Sequence, residues 1–136
     1  MDATVYALKG GSEAPAPTRR REPLPIEDDG GGELLACARC LRAVTTSGAR
    51  IEVGGAHEHR FANPSGYRYH IGCFARASGC VPVGQASTYW TWFPGFSWQI
   101  EQCGECGEHL GWRFRSADSV FHGLILARLV EVEERA

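Results

Sequence analysis

The sequence lacks any apolar run approaching the roughly 20 residues that a bilayer-spanning helix needs. It also lacks a surplus of positive charge, with 14 basic residues against 16 acidic ones for a formal charge of -2. The first absence argues against a membrane protein. The second argues against a DNA or RNA partner, because neutralising phosphates is what gives such proteins their affinity. Residues 1–32 hold Asp2, Glu13, Glu22, Glu27, Asp28 and Asp29 against Lys9, Arg19, Arg20 and Arg21, so the remainder carries ten acids and ten bases. No secretory leader is expected either, since Met1 to Lys9 contains an early acid, no basic n-region and no apolar h-region. The expected compartment is therefore the reducing cytoplasm. There, six cysteines read as thiolates rather than as a disulfide framework.

What is present is ordinary globular composition, 43% hydrophobic and 22% charged, unevenly distributed. Residues 10–32 contain Gly10, Gly11, Pro15, Pro17, Pro23, Pro25 and Gly30 to Gly32, with Arg19 to Arg21 and Glu27 to Asp29 as short blocks of opposite charge. Such a stretch buries too little apolar surface to offset its ordering entropy, so 1–32 reads as a disordered tail preceding a domain over 33–136. Within the domain no 3.6-residue period persists. Short β-branched and apolar runs predict strands near 33–37, 41–45, 67–71, 81–85, 96–102, 109–115 and 119–126. Turns are expected at Gly54-Gly55, Asn63 to Gly66 and Phe93 to Gly95. Leu124 to Glu134 has an alternative reading as a short helix.

Cys37-x-x-Cys40 and Cys103-x-x-Cys106 are separated by 62 residues. Two residues between thiols let a tight turn aim both sulfurs at one ion, and two such turns complete the tetrahedral sulfur set that zinc favours. All four ligands would be protein thiolates, which predicts one structural Zn2+ with no open position for water. The competing reading, a thioredoxin-type dithiol, needs a strand–helix junction that this sequence lacks. Cys73 and Cys80 stand outside both pairs and read as small buried hydrophobes. His57, His59, His109 and His122 are expected to make hydrogen bonds beside turns and strands.

All four tryptophans, Trp90, Trp92, Trp98 and Trp112, fall in a 23-residue window. Residues two apart in an extended strand share a face, which pairs Trp90 with Trp92 and Trp112 with Phe114. A turn at Phe93 to Gly95 would fold Trp98 toward Trp92, and a metal knuckle at Cys103 to Cys106 would bring the Trp112 strand beside the Trp98 strand. Residue chemistry alone leaves core and pocket equally open, because tryptophans in general are core.

The run Trp92-Phe-Pro-Gly-Phe-Ser-Trp98, then Cys103-Gly-Glu-Cys106, then Glu108-His-Leu-Gly-Trp-Arg-Phe114, closed by Phe121-His-Gly-Leu124, resembles the thalidomide-binding (CULT) domain of cereblon. Upstream, Cys37-x-x-Cys40 and His57 to Gly66 fit the same pattern, so the resemblance spans about residues 33–130. It implies a mostly β fold of two antiparallel sheets pinned by a four-cysteine zinc site, the β-tent. It further implies that Trp92, Trp98 and Trp112 wall a ligand cage with Phe114 at its base. Backbone groups at Trp90 and Trp92 would hydrogen-bond an imide, and Asn63 would lie over the pocket mouth. The family binds glutarimide and related cyclic imides, including cyclised C-terminal Gln or Asn on damaged proteins, and uridine-like rings suit the same chemistry. The expectation is a non-enzymatic binding module in single-domain form, to which the ligase recruitment of the family's multidomain members is not carried over. With no oligomer signal in the sequence, a monomer is the default. Trp90 departs from the smaller or polar residue found there in some members.

Two other readings use the same residues. An aromatic cage for methylated ammonium groups would draw on Glu101, Glu108 or Asp118 as rim acids. A methionine sulfoxide reductase-like enzyme would need Cys73 as a reactive thiol, with His70 as its base and Cys80 as its resolving partner.

Overall fold

The computed structural model describes residues 31–132, and nine strands account for most of that span. They are β1 (Leu34–Cys37), β2 (Ala43–Thr46), β3 (Glu58–Ala62), β4 (Arg68–Phe74), β5 (Cys80–Ser87), β6 (Ser97–Cys103), β7 (His109–Arg115), β8 (Val120–Ile125) and β9 (Leu129–Val132). One antiparallel sheet has the order β2-β1-β9, and the other has the order β3-β4-β8-β7-β6-β5. The tail predicted over 1–32 lies outside the described residues except at Gly31 and Gly32. The chain is already engaged there, since the Gly48 N–H donates to the Gly31 carbonyl at 2.9 Å.

Seven of the nine strands fall where β-branched and apolar runs predict them, and the other two do not. β3 (Glu58-His-Arg-Phe-Ala) alternates, but its outward positions are charged because it forms the edge of the larger sheet, so its hydrophobic signal is weak. The helix considered over Leu124 to Glu134 does not form across the described part of that span. β8 runs to Ile125, one turn of 3-10 helix covers Leu126–Arg128, and β9 then pairs with β1 from Leu34↔Val132 to Cys37↔Leu129. A ladder whose partners lie 92 to 98 residues apart in sequence overrides the local pattern, which is the usual fate of propensity against tertiary pairing. The 41–45 prediction is displaced to Ala43–Thr46, because Leu41 and Arg42 belong to a knuckle rather than to the strand.

Two packed clusters fill the interior. One joins the two sheets around Leu35, Val44, Phe74, Leu110 and Leu124, with Cys37 and Cys103 among its members. The other is aromatic: Tyr69, Ile71, Phe93, Trp112, Phe114 and Phe121 are buried, with Phe61, Trp92, Phe96 and Trp98 packed against them. Gly123 makes this second packing possible. A methyl group on it would stand 2.9 Å from both the Phe114 ring and the Ile71 side chain, too close for either to remain seated.

Candidate metal centre and aromatic site

The two CxxC segments fold into near-identical knuckles. In the first, the Cys37 N–H donates to the Arg42 carbonyl at 2.9 Å and the Leu41 N–H to the Cys37 carbonyl at 2.7 Å. In the second, the Cys103 N–H donates to the Glu108 carbonyl at 2.8 Å and the Gly107 N–H to the Cys103 carbonyl at 3.0 Å. A backbone N–H points at the leading sulfur of each, Arg39 to Cys37 Sγ and Glu105 to Cys103 Sγ, both at 3.4 Å. Both knuckles need a left-handed residue after the second cysteine. Gly107 meets that need at φ 80°, whereas Leu41 adopts it at φ 69° with a β-carbon present.

The four sulfurs lie within 4.8 Å of one another, with Cys37–Cys106 at 3.7 Å and Cys40–Cys103 at 3.6 Å. A tetrahedron of thiolates bonded at about 2.3 Å has edges of about 3.8 Å, so the spacing suits a shared cation. All six cysteines are free. Without a cation, burial pushes the Cys40 thiol well above its ordinary value, and the adjacent Cys103 sulfur adds to the effect. A metal ion is what allows such a set to ionise. Around it, Arg39 pairs with Glu108 at 3.0 Å and Arg42 with Glu105 at 3.5 Å.

The aromatic residues named from the sequence converge in part. β6 pairs with β7 so that Trp98 lies opposite Phe114 and Ile100 opposite Trp112, which places Trp98, Trp112 and Phe114 on one face. Trp92 arrives from the loop before β6 and meets Trp112 edge-on at 4.8 Å, while Phe61 stacks on it at 5.0 Å. Trp112 and Phe114 are fully buried, and Trp92 and Trp98 are half-buried. The Trp98 indole donates to the Tyr89 carbonyl at 2.7 Å. Two buried polar atoms near Trp112, its own Nε1 and His109 Nδ1, have no hydrogen-bond partner among the described residues.

Trp90 is 48% exposed and outside the cluster, and its backbone is left-handed at φ 57°, so it does not share an extended strand with Trp92. The two indoles are nevertheless tied together, because both N–H groups donate to the Ala62 carbonyl, at 2.8 Å and 2.9 Å. The turn bonds of this loop use the N–H groups of Thr91, Phe93 and Phe96, leaving that of Trp92 outside them among the described residues. Asn63 is buried and directs its Oδ1 back to the N–H groups of Ser65 and Tyr67, at 3.0 and 2.9 Å, shaping the 63–67 loop.

Most of the residues on which the other readings depend are otherwise engaged, whereas Asp118 is exposed in the turn after β7. Glu101 is 2% exposed and lies against His122 at 2.8 Å, while Glu108 pairs with Arg39 at 3.0 Å. Cys73 is fully buried, and burial pushes its thiol up to about 11. His70 alternates to the opposite face of β4, where it meets Glu58 at 2.8 Å. The four remaining histidines hydrogen-bond beside turns and strands as expected: His57 to the Ile51 carbonyl, His59 to those of Val53 and Ala56, His109 to that of Gly111, and His122 to Glu101. Sequence reasoning missed Ala62, Phe61 and Tyr69. The alternation of β3 against β4, with Phe61 opposite Tyr69, is the signal that could have found them.

Two antiparallel sheets, joined at a four-cysteine cluster able to hold a metal ion and carrying a tryptophan-rich cluster beside it, define a small metal-binding β domain. No protein-family profile matches the chain. Among curated proteins it is similar to protein cereblon of Xenopus tropicalis, 44% identical over 54 residues, which is 40% of this chain and 12% of that protein. Cereblon of Danio rerio is 41% identical over 54 residues, and cereblon of Gallus gallus 35% over 83 residues, or 54% of this chain and 19% of the relative. The chain is thus cereblon-like in sequence, consistent with a cereblon-type (CULT) domain protein. It spans about an eighth to a fifth of the length of these relatives. No helix among the described residues is long and apolar enough to cross a membrane.

Proposed function

We propose that this chain is a non-enzymatic binding module that captures cyclic imides of the glutarimide type, free or as a cyclised C-terminal Gln or Asn of a protein. In this reading Trp92, Trp98 and Trp112 form the walls, Phe114 the base, and Asn63 organises the loop at the mouth. A single Zn2+ held by Cys37, Cys40, Cys103 and Cys106 is structural, because four thiolates fill its tetrahedron and leave no position for water.

The observation that carries the reading is the Trp92 loop. Its N–H lies outside the turn bonds, next to indoles gathered on one face of β6–β7. A cyclic imide offers one N–H between two carbonyls, which a free backbone N–H and a neighbouring backbone carbonyl at Trp90 complement. Flat indoles cover the ring's aliphatic edge, and an imide left unpaired there would cost about 1–3 kcal/mol per polar group.

The test is a titration of zinc-loaded protein with a glutarimide, followed by tryptophan fluorescence, with N-methylglutarimide as the control that keeps the ring and loses the donor. Saturable change with the first and none with the second is the expected result. Equal response to both, or to neither in folded metal-loaded protein, refutes imide recognition. Only moderate affinity is expected, since few heavy atoms make contact.

A further inference from the structure

A concavity of about 360 Å3 opens on the β3–β4 pair and is lined by Arg60, Arg68 and His70 together with Phe61, Ala62 and Tyr69. Arg60 lies opposite His70 and Ala62 opposite Arg68, so the two arginines and the histidine project from one face. Phe61 and Tyr69 belong by alternation to the other face, where they join the aromatic cluster. Among the described residues, no carboxylate lies within ion-pair distance of Arg60 or Arg68; the nearby Glu58 is engaged by His70 at 2.8 Å. Two guanidiniums without an ion pair at contact distance among the described residues, the Arg60 charge being also felt by Glu58, therefore border a hollow of a size usual for small-ligand sites.

This hollow adjoins the tryptophans. Ala62, in its lining, supplies the one carbonyl that accepts both the Trp90 and the Trp92 indole N–H. Phe61, also in the lining, stacks on Trp92. A cyclised C-terminal residue is the last of its chain, so the preceding residues must leave the imide site across its margin. On the β3–β4 side, that margin carries two unpaired, fork-shaped cations suited to carboxylates.

We propose that the Arg60–Arg68–His70 hollow is a subsite for an acidic side chain one to three residues before a C-terminal cyclic imide, so that the substrate class is acidic, imide-terminated polypeptides. The proposal rests on the imide reading above and specifies its substrate. A peptide carboxylate is favoured over nucleic acid because two cations on an otherwise charge-balanced domain cannot supply the phosphate neutralisation that nucleic-acid affinity requires.

The test uses fluorescent hexapeptides ending in a glutarimide, with Asp/Glu, Asn/Gln or Lys at the two positions before it, titrated by anisotropy against the full chain and against Arg60→Gln/Arg68→Gln. Both arginines are exposed, so the variant is expected to fold, which near-UV circular dichroism checks. In low salt the acidic peptide should bind about tenfold tighter than its amide twin, equivalent to about 1.4 kcal/mol. That preference should shrink at 0.5 M salt and vanish in the double variant, while free glutarimide binds both proteins alike. Equal binding of acidic and amide peptides, with free glutarimide still bound, overturns the subsite alone. Failure of free glutarimide to bind overturns the imide reading and the subsite with it. A single-stranded oligonucleotide that displaces the acidic peptide at lower concentration than a matched acidic peptide also overturns the assignment.

Discussion

Replacing His122 with alanine tests the most exposed-to-failure part of the fold, a carboxylate sealed inside a sheet. Glu101 on β6 is 2% exposed, and its two oxygens lie 2.8 and 3.1 Å from His122 Nδ1 on β8, across the intervening β7. Opposite Glu101 in the ladder stands Gly111, whose lack of a side chain keeps that position open. Truncating the histidine leaves a buried charge uncompensated, at a cost of about 3–5 kcal/mol. For a domain of about 100 residues, 1 kcal/mol shifts the melting temperature by roughly 4–8 °C, so a fall of more than about 10 °C is expected. Glu101→Ala should cost less, since a neutral imidazole tolerates burial better than a carboxylate. The double variant should be more stable than the sum of single losses implies, with a coupling of at least about 1.5 kcal/mol. Urea unfolding of the four metal-loaded proteins measures this directly. A His122→Ala loss under 1 kcal/mol, or additive single losses, would refute the claim that the two side chains compensate each other.

Leu41→Gly should stabilise the metal-loaded protein by about 0.5–1 kcal/mol and Gly107→Ala should destabilise it by a similar amount. A β-carbon in the left-handed region costs about 1–2 kcal/mol, partly offset by glycine's larger unfolded-state entropy; paired denaturation curves give both signs. His109 is held neutral by burial, which lowers its value from 6.5 to about 4, helped by the nearby Arg128 charge. Unfolding lets it take up a proton, so stability complete above pH 6.5 should fall by about 2–3 kcal/mol on acidification to pH 4, at 1.36 kcal/mol per unit. His109→Gln, compared with the parent over that window, should flatten this component of the pH slope. Chelation at neutral pH should abolish the near-UV signal of the Trp92–Trp112 pair and Zn2+ should restore it, because metal binding in such small modules contributes about 10–16 kcal/mol of apparent folding energy.

The four-cysteine cluster was legible because CxxC spacing is a local signal that needs only pairing of its two copies. That the knuckle at Cys103 to Gly107 sets β7 beside β6 was legible too, but the common face of Trp98, Trp112 and Phe114 also needs the irregularity between Glu101 and Gln102, which shifts the register by one and gave no sequence signal. What escaped depends on long-range partners. β3 carries Glu58 and Arg60 on its outer face and shows its strand character only against β4, and β9 exists as a strand only because β1 receives it. Trp90 was misread as extended: its backbone is left-handed, and its indole is bonded to Ala62, a residue 28 positions away that no local pattern points to. The Glu101–His122 pair gave no sequence signal, since its members lie on strands that become neighbours only across a third.

β1 and β9 lie side by side and antiparallel, with Leu34 opposite Val132. The first and last parts of the described fold therefore leave from a single spot on the small sheet, and the aromatic cluster packs against the larger one. Such a geometry suits grafting. A host protein could accept the unit within one of its own loops without stretching it, and joining the two ends by a short linker while opening the exposed Ser116–Ser119 turn would leave every strand pairing intact.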